Sequence, residues 1–184
     1  MKELSLNILD ISENSVSANA SSIDISIDEK VEEDLLRIII KDNGCGMEEE
    51  FLREVTNPFV TTRTTRKVGM GIPLFKEAAE ATGGKFEIQS KRSIGTTVEA
   101  TFGYSHIDRV PLGDMGETIG TLIQCHPDIK LNYSHSYGGR SFLFSTEELS
   151  LVLEGAPLNN PEIVLWIKEY VNEKIRDLYG GVSL

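Results

Sequence analysis

The chain has 184 residues, 40% of them hydrophobic, and 29 acidic against 18 basic side chains give a formal net charge of -11. This is enough for one ordinary domain with an appendage and a real core, while the acidic balance argues against nucleic acid as a partner, whose affinity comes mostly from neutralised phosphates. No apolar run approaches the roughly eighteen residues of a membrane span, and the opening MKELSLNILDIS turns polar too early for a secretory signal, so a cytoplasmic protein with no membrane partner is expected.

From Leu4 to Ala18, Leu4, Ile8, Ile11 and Ala18 recur at helical spacing, while Asp10, Asn14 and Ser17 fall on another face. The spacing predicts an amphipathic helix that presents polar groups. After a break at Asn19 to Ser22, IDISID alternates like a half-buried strand, and LLRIIIKD reads as a more buried one. A glycine loop, Asp42 to Met47, comes next, followed by a short helix over Glu48 to Val55 that Asn57-Pro58 ends. Val60 to Val68 is threonine, arginine and lysine with no hydrophobic period, and is expected to form a mobile lid. Gly71 opens a helix through Thr82 that Gly83-Gly84 closes, and FEIQS and TTVEATF follow as strands around Gly95.

Past Gly103 the pattern predicts a helix near Glu117 to Gln124, then IKLNYSHSY and RSFLFS as a hairpin pivoting on Gly138-Gly139. Helices over Thr146 to Leu153 and Pro161 to Leu178 finish the chain, the last carrying Ile163, Trp166, Ile167, Tyr170, Val171 and Ile175 on one broad stripe. That stripe reads as core, with a dimer or partner interface as the alternative. Cys45 and Cys125 lack metal-ligand spacing and read as free thiols.

Asp10 and Asn14 are four residues apart, so on a helix they project side by side. An amide oxygen suits Mg²⁺, which needs only one or two protein oxygens beside substrate phosphates, and the neighbouring carboxylate can orient or deprotonate an attacking group. A solvated helix face is the plainer alternative. Asp42 ends a strand and can accept a hydrogen bond from an exocyclic amine, while the glycines after it let backbone approach a flat ligand; a tight turn is the alternative. Gly69-Met70-Gly71 before a helix suits phosphate, or simply makes a turn, and no Walker A loop is present.

The joint order is the specific signal. ILDISENSVSANASSIDI, DNGCGM, NPFVTTRTTRKVGMGIPL and GTT in a late strand resemble the four sequence boxes of the GHKL ATPases. The segment from Asp10 to Met47 is most similar to mismatch-repair members, and PFVTTR with GMGIPL to sensor histidine kinases. The resemblance implies an α/β (α+β) two-layer sandwich of the Bergerat type, a mixed sheet with helices on one face, over residues 1–103. Residues 104–184 are expected to add a small α+β extension.

It also implies ATP and Mg²⁺ as ligands, with Asn14 on Mg²⁺, Asp42 on the adenine amine and Thr96 supporting that bond. Gly44, Gly46 and Met47 would lie at the base, Gly69, Met70, Gly71 and Ile72 at the phosphates, and Thr61, Thr62, Arg63 and Lys67 in the lid. Asp10 occupies the base position where hydrolytic members carry glutamate, and its shorter side chain puts hydrolysis in doubt. Glu13 is turned about 100° away around the helix.

Ser105-His106-Ile107-Asp108-Arg109-Val110-Pro111-Leu112 resembles the SHELRTPL phosphoacceptor box of sensor kinases, which makes His106 a candidate acceptor. Against it, the segment follows the ATPase boxes instead of preceding them, Ile107 replaces the usual acid, and Val110-Pro111 disfavours a helix. A linker histidine is the alternative; His126 and His135 read as structural or surface residues. Two functions are carried forward: phosphoryl transfer to a protein partner or to the chain itself, and a nucleotide-gated binding module with little turnover. A strand-handling, gyrase-like or mismatch-repair role is disfavoured by the acidic charge.

Overall fold

A computed structural model describes residues 3–55 and 70–181, and in it the alternating runs form a single sheet. Strands β1 (Ser22–Lys30), β2 (Leu35–Asp42), β3 (Phe86–Lys91), β4 (Gly95–Gly103), β5 (Lys130–Tyr137) and β6 (Arg140–Ser145) lie in the order β3-β4-β2-β1-β5-β6. β1 and β5 run parallel and all other neighbours antiparallel, so the sheet is mixed, as expected. The register of β1 on β5, from Ser22 opposite Lys130 to Glu29 opposite Tyr137, joins strands from both sides of the expected boundary after residue 103 into this sheet.

The period of two sorts side chains between the faces. Ile23, Ile25 and Ile27 of β1, Leu36, Ile38 and Ile40 of β2, and Val98, Ala100 and Phe102 of β4 are each at most 2% exposed. Removing each larger one from water is worth about 1.5–3 kcal/mol, so this face drives the packing. The other face is polar: Arg37 forks onto Glu99 at 2.8 and 3.0 Å, and Ser26 meets Ser134 at 2.8 Å across β1 and β5.

Helices α1 (Leu4–Ser17), α3 (Gly71–Ala81), α4 (Met115–Cys125) and α6 (Pro161–Leu178) close the apolar face, with α2 (Glu49–Val55) and α5 (Thr146–Val152) as short additions. No side chain caps α1. Its first amides, Leu4 N and Ser5 N, instead donate to the carbonyls of Pro111 and Leu112 at 3.0 and 2.7 Å, which docks the linker after β4 onto the helix start. α4 begins two residues before the expected Glu117, because the Asp114 carboxylate accepts from Glu117 N at 2.7 Å and caps it. On α6 the buried stripe is Val164, Ile167, Val171, Ile175 and Leu178; Trp166 is off it, 47% exposed and stacked on Tyr170. Of the expected stripe, Ile167, Val171 and Ile175 are buried and Ile163 and Tyr170 pack against the core, while Trp166, about 100° from Ile167 around the helix, is corrected to a surface position.

Candidate functional site

At the C-terminal end of β2 the chain leaves the sheet through Asn43, Gly44 and Cys45, and three donors converge on the Asp42 carboxylate. Gly44 N and Thr96 N donate to Oδ1 at 2.8 and 3.2 Å, and the Ser15 hydroxyl donates to Oδ2 at 2.7 Å. The aligned ends of β2 and β4 place Thr96 opposite Asp42. Ser90 on β3 ties the back of the cluster, accepting from Met47 N and lying 2.8 Å from Thr96 Oγ1. Asn43 is occupied elsewhere: its Oδ1 accepts from Ser21 N and Ser22 N at 2.9 Å each, which fixes the turn between α1 and β1.

The loop is held on both sides. Cys45 N donates to the Ala18 carbonyl and Ser93 N to the Cys45 carbonyl, each at 2.8 Å. Gly46, at φ +65°, passes so near the turn between β3 and β4 that a Cβ there would lie 2.1 Å from the Lys91 carbonyl oxygen, which only glycine tolerates. Gly44 is buried against Ala18 and supports the carboxylate through its amide.

These residues surround a cavity of about 280 Å³. Of the expected set, Asn14, Asp42, Gly46, Met47, Ile72 and Thr96 line it, and Ile11, Ile40, Phe51, Val55 and Val98 give it apolar walls suited to a flat ring. Cys45 lines it too, a position its spacing in sequence did not reveal. Asn14 is the open end of the arrangement: its Nδ2 is buried and has no hydrogen-bond partner among the described residues. A buried polar group left unpaired costs about 1–3 kcal/mol, so this amide fits a ligand group, and turning it over offers its oxygen to a cation beside phosphate.

Asp10 sits at the crossing of α1 and α3. A Cβ on Gly71 would come within 2.9 Å of Asp10 Cβ, so the glycine lets the start of α3 approach the carboxylate. Partial burial first, and the charge of Glu13 second, hold the Asp10 carboxyl above its ordinary value. Glu13 itself pairs with His126 at 3.0 and 3.1 Å. Met70 is exposed at the N-cap of α3. The expected lid over Val60 to Val68, with Thr61, Thr62, Arg63 and Lys67, and also Gly69, lies outside the described residues.

His106 is not brought to this cluster. It follows Gly103, seven residues along β4 from Thr96, which is roughly 23 Å of strand. The segment around it is a turn and not a helix, with Asp108 N donating to His106 Nδ1 at 3.2 Å.

Residues 1–106, more than half of the chain, match the sequence profile of the Histidine kinase-, DNA gyrase B-, and HSP90-like ATPases. The chain belongs to this family. Among curated relatives of this ATPase domain, a putative sensor protein of Shewanella frigidimarina is 34% identical over 85 residues, 46% of this chain and 13% of that protein. A probable C4-dicarboxylate sensor kinase of Bacillus subtilis is 32% identical over 87 residues, 47% of this chain and 16% of that one. The chain thus spans less than a fifth of these relatives. Among solved structures, the Aquifex aeolicus MutL ATPase domain complexed with ADP shares the fold at a TM-score of 0.56 and 15% identity, over 84% of this chain and 70% of that one. No described helix of this ATPase-family chain is long and apolar enough to cross a membrane.

Proposed function

We propose that this chain binds ATP with Mg²⁺ in the cavity between α1, α3 and the Asp42 end of the sheet, and passes the γ-phosphoryl group to a protein partner or to itself in the cytoplasm. The observation that carries this reading is the meeting of Asn14, Asp42 and Thr96, remote in sequence, on one cavity where the buried Asn14 Nδ2 has no hydrogen-bond partner among the described residues.

Asp42 takes the exocyclic amine of adenine, with Gly44 N and Thr96 N holding its other oxygen in place. The apolar walls exclude water from the ring. Asn14 holds Mg²⁺, which neutralises charge on the phosphates when bound. The amides of Met70, Gly71 and Ile72 stand at the start of α3, where backbone N–H groups and the helix dipole favour phosphate oxygens. Gly69, Thr61, Thr62, Arg63 and Lys67, outside the described residues, are assigned to the phosphates by the family resemblance of their sequence, Arg63 and Lys67 bringing the positive charge that phosphate requires. Asp10 orients the attacking group; its raised pKa moves it toward the range useful to a general base. His106, at the far end of β4, accepts phosphate only from the site of another copy of the chain, so a dimer is required for that route.

One observation favours the nucleotide-gated module instead: Asp10 borders Gly71 but does not line the cavity. The two readings separate on incubation with γ-labelled ATP and Mg²⁺. Label on the chain or on a protein of a cell extract, or released phosphate, lost in Asn14→Ala, supports transfer. Tight binding with none of these supports the module, and absence of ATP binding overturns both.

A further inference from the structure

Ser15 is 3% exposed, yet it faces the same cavity as Asp42. Its hydroxyl has a single proton and two acceptors within reach: Asp42 Oδ2 at 2.7 Å and the Ile11 carbonyl at 3.3 Å. The shorter contact ends on a carboxylate, and charge-assisted bonds of this kind are about twice as strong as neutral ones, so the proton is committed to Asp42. The Ser15 oxygen is thereby left with its lone pairs, a fixed acceptor next to Oδ2. On the other side, Asp42 Oδ1 is already taken by Gly44 N and Thr96 N, so the capacity that remains on the carboxylate is on Oδ2.

We propose that Ser15 is a specificity-determining residue for the base: it fixes Asp42 Oδ2 in direction and offers its own oxygen beside it, so that the pair reads the two protons of an exocyclic amine. This rests on the adenine-nucleotide reading above. A purine with a carbonyl at that place meets two acceptors and no donor, and a buried acceptor facing acceptors is rejected more strongly than a merely missing contact. Nearby Ser12 shows the contrast, because its hydroxyl is spent on the Ile8 carbonyl at 2.8 Å and it does not line the cavity.

The test compares ATP with inosine triphosphate, which carries a carbonyl in place of the amine, by calorimetric titration with Mg²⁺ present. In Ser15→Ala the affinity for ATP is expected to fall roughly tenfold while that for inosine triphosphate stays within about twofold, so that discrimination shrinks roughly tenfold. Ser15→Cys, close in shape but a weaker donor, shifts the ratio in the same direction and serves if the alanine variant does not fold. Ser12→Ala leaves both affinities unchanged. Equal weakening of both nucleotides, or an unaltered ratio, overturns the assignment and leaves Ser15 a packing residue. Wild-type protein that binds neither nucleotide removes the underlying nucleotide reading as well, a result distinct from the other two.

Discussion

The apolar face of the sheet carries a buried polar cluster at each end, one around Asp42 and one around Glu29, which the antiparallel pairing of β1 and β2 places apart. At the Glu29 end the hydrogen bonding closes on itself. His135 is fully buried with Tyr133 Oη 2.8 Å from Nδ1 and Glu29 Oε1 2.7 Å from Nε2, and the Tyr179 hydroxyl donates to the same Glu29 oxygen. Burial foremost keeps these phenols protonated as donors: Tyr133 and Tyr179 are pushed far above the ordinary tyrosine range and Tyr104 up to about 12. At the Asp42 end the carboxylate is equally well supported, but Asn14 Nδ2 is left without a partner among the described residues. A groove of about 590 Å³ adjoins Glu29, twice the size of the cavity at Asp42, yet the buried carboxylate at its floor is already engaged. On the proposed reading, size is the poorer guide here and the unmet hydrogen bond the better one.

The comparison can be broken at either end. Glu29→Ala strands the His135 and Tyr179 donors, and is expected to lower stability in urea by about 3 kcal/mol while leaving the ATP affinity of the folded protein unaltered. A matching loss of ATP affinity would join the two clusters into one functional unit. Asn14→Ala should do the reverse, leaving stability unchanged or raising it by up to about 1 kcal/mol, because it removes a buried Nδ2 that has no partner among the described residues and loses only some packing, and abolishing the Mg²⁺ dependence of nucleotide binding. A large drop in stability would contradict the idea that this amide awaits a ligand.

Asp10 gives the smallest effect, and its sign follows from its raised pKa. The folded state holds the proton more tightly than the unfolded one, so the contribution of Asp10 to stability is fully present below the ordinary value of 3.8 and is lost as pH rises through the higher folded value. Asp10→Asn is accordingly expected to be slightly more stable than wild type at neutral pH, by less than about 0.5 kcal/mol at so exposed a site, with the gain vanishing below that ordinary value. Thermal unfolding across pH checks it; a gain that grows on acidification would reverse the sign.

Much of this was legible in the sequence. The strands announced themselves by alternation, α1 and α3 by period, and the order of the four boxes pointed to a nucleotide site before any distance was known. What stayed hidden has a common cause: it depends on partners remote along the chain. Ser15 is 27 residues from Asp42, and Glu29 is 106 from His135 and 150 from Tyr179, so no local pattern links them. The start of α4 depends on its cap, Asp114, which stands outside the apolar period, and the exposure of Trp166 depends on which face of α6 the sheet covers. The hydrogen bond from Gly44 N to Asp42 is likewise invisible in the sequence, where the glycine reads only as room for a flat ligand.

A titration of wild type and Asp42→Asn with ATP in saturating Mg²⁺ tests the convergence of Asn14, Asp42 and Thr96 on one nucleotide most directly. The asparagine keeps an oxygen for Gly44 N and Thr96 N but turns an NH₂ toward the adenine amine. Wild type is predicted to bind one ATP and Asp42→Asn to bind about a hundredfold more weakly, or about 2.7 kcal/mol, with its fold intact. Absence of heat with wild type, or equal affinity in the two proteins, would contradict it.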